Sequence, residues 1–402
     1  MSTKLAEEHV SSSRLTNWLL LVVVTTVAVG TAYFAFPYVR ERLRKSTAER
    51  VQQQQVQQAE SIAYVYDRRV GWRLNGNTQV HRANPNFGYD TRVRTNAEGF
   101  IDRDHFLQSP FYRIAMIGDS FVEAEQVPET SRFSNLIEDL VPALSEKKLA
   151  VEVMNFGISN YGPAHAYGVI RNFALKYHPN EVWLFLSGGY DLPHSFPLET
   201  PAPLGPYYLY SSKNPEQLED ILFGYPKPPE LLKAEMAERY GEIRKTYRSF
   251  AEVFPYFYSD AHHPAMDLVL KQNVQCFDLI LRTLGPDIRF RIIYLPALIE
   301  IRQDMWTQFQ QDAIRSGVKA QLTRQAGERK IADIAKRLNI QFTSLVDELA
   351  KANANHQVFG DHLTPLGHRD VAVPLTEVIL KEAKAVAPGP NAHATDNPPE
   401  RH

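Results

Sequence analysis

The sequence predicts an α/β protein whose mostly parallel sheet is covered by helices on both faces. Two observations predict it. Short apolar runs, "YRIAMIG" (112–118), "LAVEVMNFG" (149–157), "NEVWLFLSGG" (180–189) and "IRFRIIYLPA" (288–297), suit strands buried on both sides. Segments with helical spacing lie between them, and strands joined through helices run parallel. Length agrees: 402 residues exceed one average domain but fit one α/β domain carrying insertions.

Lys plus Arg (44) nearly balances Asp plus Glu (46), so no global charge draws the chain to nucleic acid or to acidic partners. The single cysteine, Cys276, permits no internal disulfide and no thiolate metal site, so a buried core must hold the fold. Nothing in the sequence calls for a metal or a cofactor.

The elements follow in chain order. Residues 1–17 form a tail. Trp18–Val39, "WLLLVVVTTVAVGTAYFAFPYV", is uncharged and mostly apolar. About 22 residues at ~1.5 Å each reach ~33 Å, enough to cross a bilayer core, so this segment is expected to be a single transmembrane anchor. Arg40, Arg42, Arg44 and Lys45 follow it, a flank that by the positive-inside rule points the large domain to the cytoplasm. Long domains translocate largely regardless of such counts, and an envelope setting outside the cytoplasm is the expectation adopted. Residues 40–62 lack Gly and Pro and are polar nearly all round, as in a helical stalk able to self-associate or a plain solvated linker.

Residues 63–386 form the globular domain. Val65 to Asp104 is rich in Gly, Asn and Arg, which predicts turns and short irregular strands. "PETSRFSNLIEDLVPAL" (128–144) has helical spacing with Pro and acids at its start, and "PAHAYGVIRNFALKYH" (163–178) is the next helix. Residues 192–262 interrupt the alternation with Pro- and Tyr-rich sequence and then charged helical sequence, the composition of an inserted cap over a site. A long helix near 309–338, a strand at "IQFTSLV" (340–346) and a last helix within "LTPLGHRDVAVPLTEVILKEAKAV" complete the domain. Residues 387–402 have the composition of a disordered tail.

Ligands in open parallel sheets collect at the C-terminal strand ends. Ser120 stands at such an end, in "GDS" after the first run, where its hydroxyl and nearby N–H groups suit nucleophilic attack if a base is at hand. Alone, the tripeptide is a weak signal, since serine at such a point is more often a helix cap. "NFGISNYG" puts Gly157 past the second run, "LSGGYDL" puts Tyr190 and Asp191 past the third, and "FGDHLTPLGHRDVA" supplies Asp361, His362 and His368 before the last helix.

With these motifs in this order, the sequence resembles the SGNH (GDSL-type) hydrolase superfamily over roughly residues 65–190 and 285–385. The resemblance implies a flavodoxin-like three-layer α/β/α fold and a serine esterase or O-acyltransferase. "RTNAEGFIDRDHF" with "DHLTPLGHRDVA" looks most like membrane-anchored members, some of which work on cell-surface polysaccharides, the alginate O-acetylation proteins among them. Carried over by residue, Ser120 is the nucleophile and His362, first in the His-x-x-Pro-x-Gly-His run, is the base. The Ser120 and Gly157 amides hold the oxyanion. The substrate implied is an ester-bearing small molecule, glycan or lipid.

Two departures bear on activity. The family's Gly-x-Asn-Asp block reads "GGYD", so Tyr190 stands where an Asn would donate to the oxyanion. The Asp-x-x-His spacing is absent, leaving either the adjacent Asp361 or a backbone carbonyl to orient His362. They keep open a second reading, a catalytically impaired SGNH-fold scaffold or glycan-binding protein.

Overall fold

The described part of the chain enters through two antiparallel hairpins, β1 (Tyr64–Asp67) with β2 (Gly71–Leu74) and β3 (Gln79–Asn84) with β4 (Tyr89–Arg94). The structure, a computed structural model, describes residues 64–195, 206–214, 216–223 and 250–386. All of them lie in the second of two units, residues 1–62 and 63–402. The expected tail, anchor and stalk (1–17, 18–39, 40–62) and the C-terminal tail (387–402) fall outside the described residues. Among those described, no helix is long and apolar enough to cross a membrane.

The alternating units follow. β5 (Tyr112–Ile117) leads through α1 (Ser120–Glu123) and α2 (Phe133–Leu144) to β6 (Val151–Asn155). α3 (Pro163–Val169) continues through a π turn and a 3₁₀ turn to β7 (Glu181–Ser187). The described parts of the insertion are a hairpin, β8 (Tyr207–Tyr210) with β9 (Leu218–Leu222), and α4 (Phe250–Val253). α5 (Pro264–Leu284) leads to β10 (Arg289–Leu295), then α6 (Leu298–Ile301), α7 (Gln303–Arg315) and α8 (Ala326–Arg337). β11 (Gln341–Ser344), α9 (Val346–Asn353) and α10 (Pro365–Val386) close the domain. The single helix expected near 309–338 is thus two, parted where Gly317 turns with φ 86°, a conformation glycine adopts without strain.

Among the described residues the central sheet has five strands, all parallel, in the order β11-β10-β7-β5-β6. Numbered within the sheet this is 2-1-3-4-5, the flavodoxin-like order, whose switch point lies between β5 and β7. Successive side chains of a strand face opposite layers. Ala115, Ile117, Leu184 and Tyr294 enter one core with α3 and α5, while Ile114, Met116, Trp183, Phe185 and Ile293 enter the other with α2, α9 and α10. The apolar runs therefore carry no polar alternation because both faces are buried. Tyr208, Leu218 and Ile221 of the insertion's hairpin also join the first core, so this part of the expected cap packs onto the body.

Candidate active site

Ser120 begins α1 directly beyond the C-terminal end of β5, at the switch point. Asp119 caps the helix, its Oδ1 accepting from Phe121 N at 3.0 Å, and Ala124 ends it in the left-handed region at φ 53°. As the first residue of the helix, Ser120 has an amide with no intrahelical acceptor.

His362 reaches Ser120 from 242 positions away, with Nε2 2.8 Å from Oγ. A tight turn aims it: Phe359 and Leu363 form an antiparallel bridge, and Gly360 N donates to His362 O at 2.7 Å. The Phe121 ring packs 5.0 Å from the imidazole. Thr364, accepting from Gly367 N at 3.1 Å, starts α10 immediately after the turn. A neutral Nε2 accepts the Ser120 hydroxyl proton, which leaves the ring's hydrogen on Nδ1.

That Nδ1 is buried and makes no hydrogen bond. Asp361 Oδ2 stands 3.5 Å from it, an ion-pair distance too long for a hydrogen bond, because Asp361 Oδ1 folds back to accept from the His362 amide at 2.8 Å. The expected role of Asp361 is corrected accordingly: its charge is near the ring, but it does not hold the tautomer.

Two expected oxyanion donors are also placed otherwise. The Gly157 N–H donates to Asn155 Oδ1 at 2.9 Å, and Asn155 in turn donates to Val122 O at 2.7 Å. Glycine is needed at 157 because α1 passes so close that a Cβ would fall 2.2 Å from Glu123 N. The Tyr190 ring lies against Phe254, with centroids 4.5 Å apart, and is 46% exposed.

Sequence reasoning missed the residues that lace the site together. Ile158 N donates to Gly118 O at 3.1 Å, and buried Glu123 accepts from Ser159 N at 3.0 Å and from Tyr64 Oη at 2.9 Å, tying the loop after β6 and the first hairpin to α1. Burial, with Glu125 beside it, pushes the Glu123 carboxyl up to about 8. Asn160, next on that loop, takes φ 63°, is exposed, and has an amide without an acceptor among the described residues. An Asn just before Tyr161 and Gly162, a residue that tolerates the left-handed region, was the available signal. His368 is buried and accepts from Phe133 N at 3.3 Å, and His165 stacks on Tyr161, so both are packing residues.

Glu300 is buried beyond β10, beside Gly188 of the loop after β7. It accepts from Tyr294 Oη at 2.7 Å and Ala297 N at 2.6 Å, and burial pushes its carboxyl from 4.5 up to about 8. The unfolded residue releases its proton near 4.5 and the folded one near 8, so its stabilising contribution is complete below 4.5 and is lost as pH rises through about 8. Glu300→Gln is therefore expected to gain stability relative to wild type between about pH 5 and about pH 8, by up to ~1.4 kcal/mol per pH unit. Denaturant titrations across that range check this; a difference that does not change with pH would contradict it.

No family model matches the chain, and no curated protein matches it. Solved structures do. It is similar to Axe2, an acetylxylan esterase from Geobacillus stearothermophilus, at 14% identity over 67% of this chain and 94% of that one, with a TM-score of 0.36. It is also similar to LAE5, an alpha/beta hydrolase enzyme from the metagenome of Lake Arreo, Spain, at 14% over 68% and 98% with a TM-score of 0.36. A third is TesA, at 12% over 68% and 98% with a TM-score of 0.35.

Proposed function

We propose that this chain is an SGNH-type serine enzyme acting on ester bonds, an esterase or an O-acyltransferase. The observation that carries the reading is the 2.8 Å contact between Ser120 Oγ and His362 Nε2 at the switch point of a parallel sheet. Ser120 attacks the ester carbonyl as His362 takes its proton, and His362 then returns the proton to the leaving alcohol. The oxyanion is held by the Ser120 amide and, in place of Gly157, by the neighbouring Asn160 amide. Water completes an esterase cycle; a second hydroxyl completes a transfer.

The finer proposals rest on the sequence. Trp18–Val39 anchors the chain in a membrane with the domain outside the cytoplasm, and the substrate is an ester-bearing small molecule, glycan or lipid of the envelope.

The test is acetyl-ester hydrolysis and labelling by a serine-directed phosphonate, using the full chain and Ser120→Ala. Hydrolysis and labelling, both abolished in the variant, are expected of an esterase. Labelling without hydrolysis supports a transferase lacking its acceptor. Neither labelling nor hydrolysis above the variant would overturn the reading and leave the scaffold.

A further inference from the structure

Trp72, on β2 of the first hairpin, reaches across to the loop after β6, where its indole Nε1 donates to Ser159 O at 3.1 Å. The indole is itself held by packing. It is half-buried, meets the Tyr161 ring edge to face with centroids 5.5 Å apart, and lies 4.7 Å from the His165 ring. Tyr161 Oη also donates to the Trp72 carbonyl.

The carbonyl that Trp72 holds shares a peptide plane with the Asn160 N–H. In a planar trans peptide the C=O and the following N–H point in opposite directions, so a donor that fixes the oxygen also aims the N–H. That peptide is the middle one of a turn, closed where Tyr161 N donates to Ile158 O at 3.1 Å. Its third residue, Asn160, has φ 63°, the type II arrangement. Type I differs by a flip of the same peptide and puts the third residue at φ of about −90°, where a residue with a Cβ sits more easily. Asn160 thus adopts the less favoured form, and the flip would reverse its N–H.

We propose that Trp72 is a positioning residue: its indole N–H holds the Ser159–Asn160 peptide in the type II form, and so keeps the Asn160 N–H turned to the oxyanion that forms when Ser120 is acylated. The inference rests on the reading of Ser120 as nucleophile with the Ser120 and Asn160 amides as oxyanion donors. The rest of the loop is fixed from the other side. Ile158 N donates to Gly118 O at 3.1 Å, and the Ser159 N–H, at 3.0 Å, and hydroxyl both donate to Glu123 Oε2. These bonds secure the chain up to the Ser159 nitrogen. Beyond it, among the described residues, Ser159 O meets no donor besides Trp72, so the indole alone decides which way the next peptide faces.

The test compares the full chain with two variants. Trp72→Phe keeps an aromatic ring beside Tyr161 and His165 but removes the donor. Tyr161→Phe removes a different hydrogen bond between the same hairpin and the same loop. With p-nitrophenyl acetate, Trp72→Phe is expected to lower kcat about tenfold, part of the roughly 10²–10³ that loss of a whole oxyanion donor costs. KM should stay within about twofold, because the interaction matters only in the transition state. If the wild type labels without hydrolysing, the rate of phosphonate labelling is read instead and should fall by the same factor. Tyr161→Phe should keep most of the wild-type rate. An equal fall in both variants, a raised KM with unchanged kcat, or a Trp72→Phe rate close to wild type would overturn the proposal and leave Ser120 and His362 in their roles. Should Trp72→Phe fail to fold, benzothienylalanine in place of Trp72 serves, since sulfur replaces only the N–H in a ring of the same shape; an unchanged rate there would equally overturn it. A wild type that neither hydrolyses nor labels would overturn this inference together with the reading beneath it.

Discussion

Alanine in place of His362 is expected to lower ester turnover, or phosphonate labelling, by about 10²–10⁴-fold, the usual worth of a positioned general base. The side chain is half-buried on a surface turn, and its ring touches Phe121 and the Ser120 hydroxyl. Its removal exposes little core, so the thermal unfolding midpoint should change only slightly. The informative comparison is Asp361→Asn. An aspartate that fixed the tautomer would cost about as much as the base itself when neutralised, since the wrong nitrogen would then carry the proton. Here the Asp361 carboxylate only stands 3.5 Å from Nδ1 and bonds to the backbone. Asp361→Asn should therefore lose far less than His362→Ala, on the order of tenfold, consistent with one through-space charge. Steady-state turnover of the two variants decides it; equal losses would show that Asp361 swings onto the ring in the working enzyme.

The largest effect on stability is expected at Arg113, at the opposite end of β5. The residue is 2% exposed, and its guanidinium donates to Glu152 Oε2 at 2.7 Å, to Leu107 O at 2.9 Å and to the carbonyls of Phe106 and Tyr177. Glu152 also meets His105 Nδ1 at 2.7 Å, and His105 Nε2 meets Asp102 Oδ2 at 2.9 Å, which accepts in turn from Asn155 N at 2.7 Å. Deleting the guanidinium would leave a largely buried carboxylate and several carbonyls short of donors. Arg113→Ala is thus expected to destabilise the domain by about 3–5 kcal/mol, read as a lower denaturant midpoint. Arg113→Lys should recover only part of this, because one ammonium cannot present the planar fork. Below the unfolding transition the Ser120–His362 geometry is remote from the change, so turnover per folded molecule should hold. A loss under 1 kcal/mol would show that water takes over these contacts.

The element pattern was legible along most of the domain. A strand covered on both faces is apolar over most of its length, and β5, β7 and β10 announce themselves that way despite the charged residues near their starts, Arg113, Glu181, Arg289 and Arg291. For the hairpin of β3 and β4 only turns and short irregular strands were expected, without bounds or pairing, because alternate residues of β4 face solvent and the stretch is rich in Gly, Asn and Arg. The break at Gly317 was not legible, since α7 and α8 share one helical spacing and differ only in where the chain turns between them.

By itself the sequence determined which residues carry reactive groups and that they sit at strand ends: Ser120 after one apolar run, Asp191 after another, His362 before the last helix. Only the tertiary structure decided what each of them touches. Sheet order sets the end of β5 beside the end of β7, neighbours although β6 lies between them in the chain. Close passage of α1 decides that Gly157 is needed for packing and that its amide goes to Asn155. The bond from Asp361 to its neighbour's amide leaves Nδ1 unbonded, and Phe254 claims the Tyr190 ring. The physical reason is common to all four. Chemical identity is local, whereas the direction and partner of a side chain are settled by competition among groups that only the folded sheet brings within hydrogen-bond reach.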